Sequence, residues 1–116
     1  MIAIVDYSAG NLTSVARALA NIGQACEITA LPETIVAAER VIFPGVGAAG
    51  AAIDSLKQAG LDEALRQVMA KGTPLLGICL GTQIILEKSR ENNATCLGLV
   101  KGEVLPFDLD MTEADG

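Results

Sequence analysis

Apolar residues fall along this chain in short runs separated by polar, helical-period segments. Ile2-Ala3-Ile4-Val5 is an unbroken apolar run at the start. Lack of alternation predicts a buried strand in a parallel sheet covered on both faces. Asp6 to Gly10 then reads as a turn. Leu12, Val15, Ala16, Leu19 and Ile22 recur at helical spacing, with a cap near Asn11 and a stop at Gly23. Ala25 to Thr29 predicts a second strand, and Pro32 opens a short helical turn through Ala38. Arg40 to Phe43 predicts a third strand, broken at Pro44-Gly45-Val46-Gly47. Helices are predicted from near Gly50 to Lys57 and, after Gly60, from Leu61 to Lys71. Gly72-Thr73-Pro74 is a break before a fourth strand, Leu75 to Ile78, and a helix over Gly81 to Lys88. Ser89 to Thr95 reads as polar loop, and Leu97-Gly98-Leu99 and Glu103 to Phe107 as short strands.

Strands alternating with helices predict an α/β domain with a mainly parallel sheet and helices on both faces. In such a sheet the turns after strands one, three and four meet on one carboxyl edge, where ligands bind in open α/β folds. Those turns are Tyr7 to Gly10, Pro44 to Gly50 and Cys79 to Gly81.

Composition narrows the chemistry. A chain of 116 residues, 51% hydrophobic and 3% aromatic, suits one domain with an aliphatic core. A net charge of −6 argues against nucleic acid as a partner. The longest uncharged stretches, Val41 to Ile53 and Gly72 to Leu86, contain Pro and Gly and are 13 and 15 residues long. Both are too short for a membrane helix, and no basic leader precedes the first apolar run. Three cysteines without a CxxC pair suit a reduced, cytoplasmic protein. Histidine is absent, so residues 1–116 supply no imidazole as base, proton shuttle or metal ligand. No metal site or cofactor is indicated.

Gly77-Ile78-Cys79-Leu80-Gly81-Thr82-Gln83, between strand and helix, has the shape of a nucleophile elbow with Cys as the nucleophile. The turn is so tight that side chains two positions either side would meet crossing backbone, which explains Gly77 and Gly81. Cys79 then projects at a helix N-terminus, whose dipole favours thiolate, and the Leu80 N–H is expected to be free for an oxyanion. The plain alternative is an inert buried cysteine. Cys26 reads as strand packing, Cys96 follows a polar loop, and neither is assigned a role. Gly45, Gly47 and Gly50 spell GxGxxG, but after the third strand, with Pro44 intervening and no acidic residue at the required distance. That context disfavours a dinucleotide site. The turn can instead give a second oxyanion donor and let a substrate approach closely. Gln83, one turn after Cys79, either binds an amide or faces solvent. Asp6 and Asn11 read as caps, Asp62 and Glu63 as first-turn charges, and Asp108 to Gly116 as a solvated, disordered tail.

The elbow resembles the GxCxGxQ signature of class I glutamine amidotransferases. Its pairing with Pro44 to Gly47, and with Ile4-Val5-Asp6-Tyr7-Ser8-Ala9-Gly10-Asn11-Leu12 and Ser14-Val15, resembles the branch formed by glutaminase subunits of imidazole glycerol phosphate synthase, over Met1 to about Phe107. The resemblance implies a flavodoxin-like topology. It implies that Cys79 attacks the glutamine side-chain amide, that Leu80 and Val46 N–H groups form the oxyanion hole, and that Gly47 and Gln83 contact glutamine. Ammonia would pass to a synthase (cyclase) barrel partner in histidine biosynthesis. In the family the PGVG peptide reorients before its donor is available. Thr82 departs from the Met usual in this branch and Ser8 from a common Gly. The family's His and Glu lie beyond position 116. The expectation is therefore a single, C-terminally truncated domain over residues 1–116, with little activity alone and a tendency to self-associate. A non-catalytic scaffold of the same fold is the alternative, and a nucleotide-binding oxidoreductase fragment a third.

Overall fold

Alternation inside the strands, hidden by their uniform hydrophobicity, decides which side chains meet which layer. The computed structural model describes residues 1–8, 11–90 and 93–107. Strands β1 (Ile2–Val5), β2 (Cys26–Thr29), β3 (Arg40–Phe43) and β4 (Leu75–Gly77) form one parallel sheet in the order β2-β1-β3-β4. This is the doubly wound arrangement predicted, with its change of winding direction between β1 and β3.

Ala3, Val5, Val41 and Phe43 project to one face. There they pack with residues of α2 (Pro32–Ala37), α3 (Ala49–Gln58), α4 (Leu61–Ala70) and α5 (Leu80–Ile84) in the larger core. Ile35, Leu56, Leu61, Leu65, Val68 and Ile84 are fully buried in it. Each such side chain contributes about 2 kcal/mol. Ile2, Ile4 and Ile42 project to the other face, which α1 (Leu12–Asn21) covers through Leu19. Asn11 caps α1, its Oδ1 accepting the Ser14 N–H at 3.3 Å. Gly23, at φ 77°, follows its end. Beside α1 an apolar groove of about 280 Å³ stays open, lined by Ile2, Leu19, Ile42 and Leu76 among others, and Leu76 is 57% exposed.

Departures from the sequence-based expectation begin after the elbow. The helix expected over Gly81 to Lys88 is the five-residue α5, starting at Leu80. It stops because Leu97, Val100 and Gly98 donate N–H bonds to the carbonyls of Ile84, Ile85 and Leu86 at 2.8–3.0 Å. Leu97 to Leu99, expected as strand, is therefore the segment that closes this helix end. Within the expected loop Ser89 to Thr95, Ser89 and Ala94–Thr95 belong to β5 (Lys88–Ser89) and β6 (Ala94–Thr95). With β7 (Glu103–Val104, shorter than the expected Glu103 to Phe107) they make a small sheet ordered β6-β5-β7. Two-residue strands carry no readable alternation. The expected tail at Asp108 to Gly116 and the end of the first turn, Ala9-Gly10, lie outside the described residues.

Candidate functional site

Three turns follow β1, β3 and β4 at the carboxyl edge of the large sheet. The last is the elbow. Cys79 adopts φ 53°, ψ −118°, a backbone region that non-glycine residues occupy at a cost of about 1–3 kcal/mol. Surroundings enforce it from both sides. A Cβ at Gly77 would lie 2.9 Å from the Thr82 backbone nitrogen, and one at Gly81 would fall on the Phe43 carbonyl oxygen. The thiol of Cys79 is exposed. Because α5 is only five residues long, its dipole is small. What the elbow supplies is exposure and aim.

The β3–β4 ladder runs on past both strands. Ile78 N–H donates to the Phe43 carbonyl and Leu80 N–H to the Gly45 carbonyl, each at 3.0 Å. The second bond corrects the expectation of a free Leu80 donor: in this structure Gly45 occupies it. The Leu80 N–H becomes available to any other acceptor only after the Gly45 carbonyl has turned away, at a net cost of about 1 kcal/mol for one hydrogen bond.

The two ends of the Pro44 to Gly47 turn differ. Pro44 and Gly45 are buried, and a Cβ at Gly45 would fall on the Tyr7 hydroxyl. Val46 is 62% exposed, and Gly47 sits at φ 105° in open space, where an added Cβ would meet nothing within 4 Å. A cavity of about 170 Å³ lies beside this open end, lined by Tyr7, Ser8, Val46, Gly47 and Ala48 among others. Gln83 is half-buried on α5, one turn from Cys79, and its N–H reaches the Cys79 carbonyl at 3.4 Å. The structure thus brings Cys79, Leu80, Gln83 and the Gly45 to Gly47 turn to one edge. Gly50 has no neighbour within 4 Å of an added Cβ, so it lacks the close-packing role that a dinucleotide fingerprint gives its third glycine.

Tyr7 is the residue that sequence reasoning passed over. Its ring is 5.1 Å from that of Phe43, and its buried hydroxyl donates to the Pro44 carbonyl at 2.6 Å. Burial pushes its pKa up to about 12, so the phenol is a neutral donor at any physiological pH. The signal available was a lone tyrosine just after β1, at the carboxyl edge. Asp6 accepts the Ser8 N–H at 3.3 Å and Asn11 caps α1, so both are local structure. Cys26 and Cys96 are half-buried, and burial raises the Cys96 thiol pKa. Among the described residues no group of three or more Cys, Asp or Glu could hold a metal ion, and no helix is long and apolar enough to cross a membrane.

Comparison with known proteins bears on the family and the fold. The family model for glutamine amidotransferase class-I matches residues 3–103. Over all 116 residues the chain is 56% identical to imidazole glycerol phosphate synthase subunit HisH of Desulfovibrio desulfuricans, and 54% identical to that of Nitratidesulfovibrio vulgaris. It covers 54% of each, so the chain spans about half the length of these relatives. A solved glutamine amidotransferase superposes with a TM-score of 0.72 at 19% identity, over 85% of this chain and 53% of that one. A peptidase E protein from Listeria monocytogenes superposes at 0.68 with 16% identity, over 85% of this chain and 62% of that one. At such identities these two likenesses speak for the fold alone.

Proposed function

The chain belongs to the class-I glutamine amidotransferase family, and from that premise we propose that it carries the nucleophile and oxyanion turn of an imidazole glycerol phosphate synthase glutaminase. The observation that carries this reading is an exposed Cys79 held at positive φ between Gly77 and Gly81, beside the Pro44 to Gly47 turn.

The Cys79 thiolate attacks the side-chain amide carbon of glutamine. A C–S bond forms, and the carbonyl oxygen takes the charge toward the N–H groups of Leu80 and, once the turn has reoriented, Val46. Collapse breaks the C–N bond, the nitrogen takes the proton that the thiol gave up to its acceptor, and ammonia leaves. Water then cleaves the thioester, giving glutamate and free thiol. Gly47 and Gln83 hold the substrate. No histidine occurs among residues 1–116, so the imidazole acceptor that this reading calls for comes from polypeptide outside them. Ammonia passes to a synthase barrel docked at the same edge, in the reducing cytoplasm that three free thiols suit. Apart from such a complex, the open groove beside α1 favours self-association.

A scaffold without chemistry is the second reading, favoured by the occupied Leu80 donor. A glutamine analogue with an electrophilic ketone at the amide position separates the two. Stoichiometric modification of Cys79 in the polypeptide at the full length of its relatives supports the glutaminase. No modification there supports the scaffold. In that polypeptide with its partner, Cys79→Ser lowers ammonia release by about 10⁴-fold or more. Residues 1–116 alone release none, and steady turnover by them would refute the need for an outside base.

A further inference from the structure

We propose that Tyr7 is a positioning residue for the oxyanion turn: by pinning the Pro44 carbonyl it confines the turn's movement to the Gly45–Val46 peptide. This inference rests on the glutaminase reading and adds a residue to it.

Four observations converge. The Tyr7 hydroxyl donates to Pro44 at 2.6 Å and is buried, so water does not compete for the bond. Pro44 has no N–H and a ring-fixed φ, which leaves its carbonyl as the handle by which this end can be held. The hydroxyl also fills the space that a side chain at Gly45 would need, so a tyrosine at position 7 requires glycine at 45. Past Gly45 the packing stops: Val46 is exposed, and Gly47 borders the cavity of about 170 Å³.

One end of the turn is therefore clamped and the other has room. The Gly45 carbonyl, which blocks Leu80, belongs to the first peptide beyond the clamp. Turning that peptide changes ψ of Gly45 and φ of Val46 and leaves the Pro44 carbonyl in place. The Tyr7 bond is compatible with both positions of the turn. Without it the whole Pro44 to Gly47 stretch loosens, and the donor no longer returns to one place each time an oxyanion forms. Such a defect shows in the transition state more than in ground-state binding.

The test is Tyr7→Phe, which keeps the ring and removes only the hydroxyl. In the full-length polypeptide with its synthase partner, kcat for glutamine hydrolysis falls at least about tenfold while KM stays within about threefold. Alkylation of Cys79 by iodoacetamide, which needs no oxyanion donor, keeps its wild-type rate. Amide exchange provides a readout independent of activity. In Tyr7→Phe the Leu80 amide exchanges at least about tenfold faster, while the β1 and β3 amides keep their protection. An unchanged Leu80 rate, or a uniform rise across β1, β3 and Leu80, would overturn the proposal. Wild-type kcat in a variant that shows the exchange change would also overturn it. Failure of the wild-type complex to release ammonia refutes the glutaminase reading instead, and exchange at Leu80 still decides whether Tyr7 clamps the turn.

Discussion

The elbow at Cys79 and the turn at Pro44 to Gly47 sit side by side, yet they are held by opposite means. Excluded volume fixes the elbow. Gly77 and Gly81 are each pressed against backbone, and backbone cannot move aside. The Pro44 to Gly47 turn is held by two hydrogen bonds, Tyr7 to Pro44 and Leu80 to Gly45, and is open beyond Gly45. Under the proposed glutaminase reading, the difference suits what each turn has to do. A nucleophile needs one fixed position, whereas a donor that starts out occupied must be able to move. Steric locking suits the first, and breakable bonds of about 1 kcal/mol suit the second.

The largest structural effect expected from breaking this contrast is at the elbow. Gly81→Ala places a methyl on the Phe43 carbonyl and should cost about 3 kcal/mol or more in urea denaturation. Gly50→Ala, in α3 with open space around it, should instead stabilise by about 0.5 kcal/mol. A smaller and more informative effect is expected at the turn. Gly45→Ala collides with the Tyr7 hydroxyl, so Tyr7→Phe should recover part of the loss. The double-mutant cycle should show coupling of about 1 kcal/mol or more. Additivity there would mean that hydroxyl and glycine do not share one space. A comparably small effect is expected at Ser8, held at φ 68°. Ser8→Gly should raise stability by about 0.5 kcal/mol, because glycine adopts that conformation without strain.

That last position shows how the sequence could be read and where reading stopped. Ser8 stood out as a departure from a common glycine, but only the backbone angle says why glycine suits the site. The parallel sheet and the meeting of three turns on one edge were legible because apolar runs, glycines and prolines mark them directly. The elbow was legible because its steric demands are written as glycines at fixed offsets. The occupied Leu80 donor was not. It is the β3–β4 ladder continuing past its two strands, and those strands are distant in sequence, Ile42 pairing with Leu76. Tyr7 was not legible for the same reason: its partner lies 37 positions away. The small sheet β6-β5-β7 escaped because pairs of residues have no period.

The chain has one tyrosine and no tryptophan, so the phenol clamping Pro44 is also its near-ultraviolet chromophore. Absorbance of phenolate should therefore report the turn without any introduced label. In the folded protein ionisation is displaced from 10.0 to about 12 by burial. The unfolded chain ionises first, so stability from this group is fully present below pH 10 and is lost as pH rises toward 12. A spectrophotometric titration with an apparent pKa near 10 under folding conditions would mean that the hydroxyl is not buried.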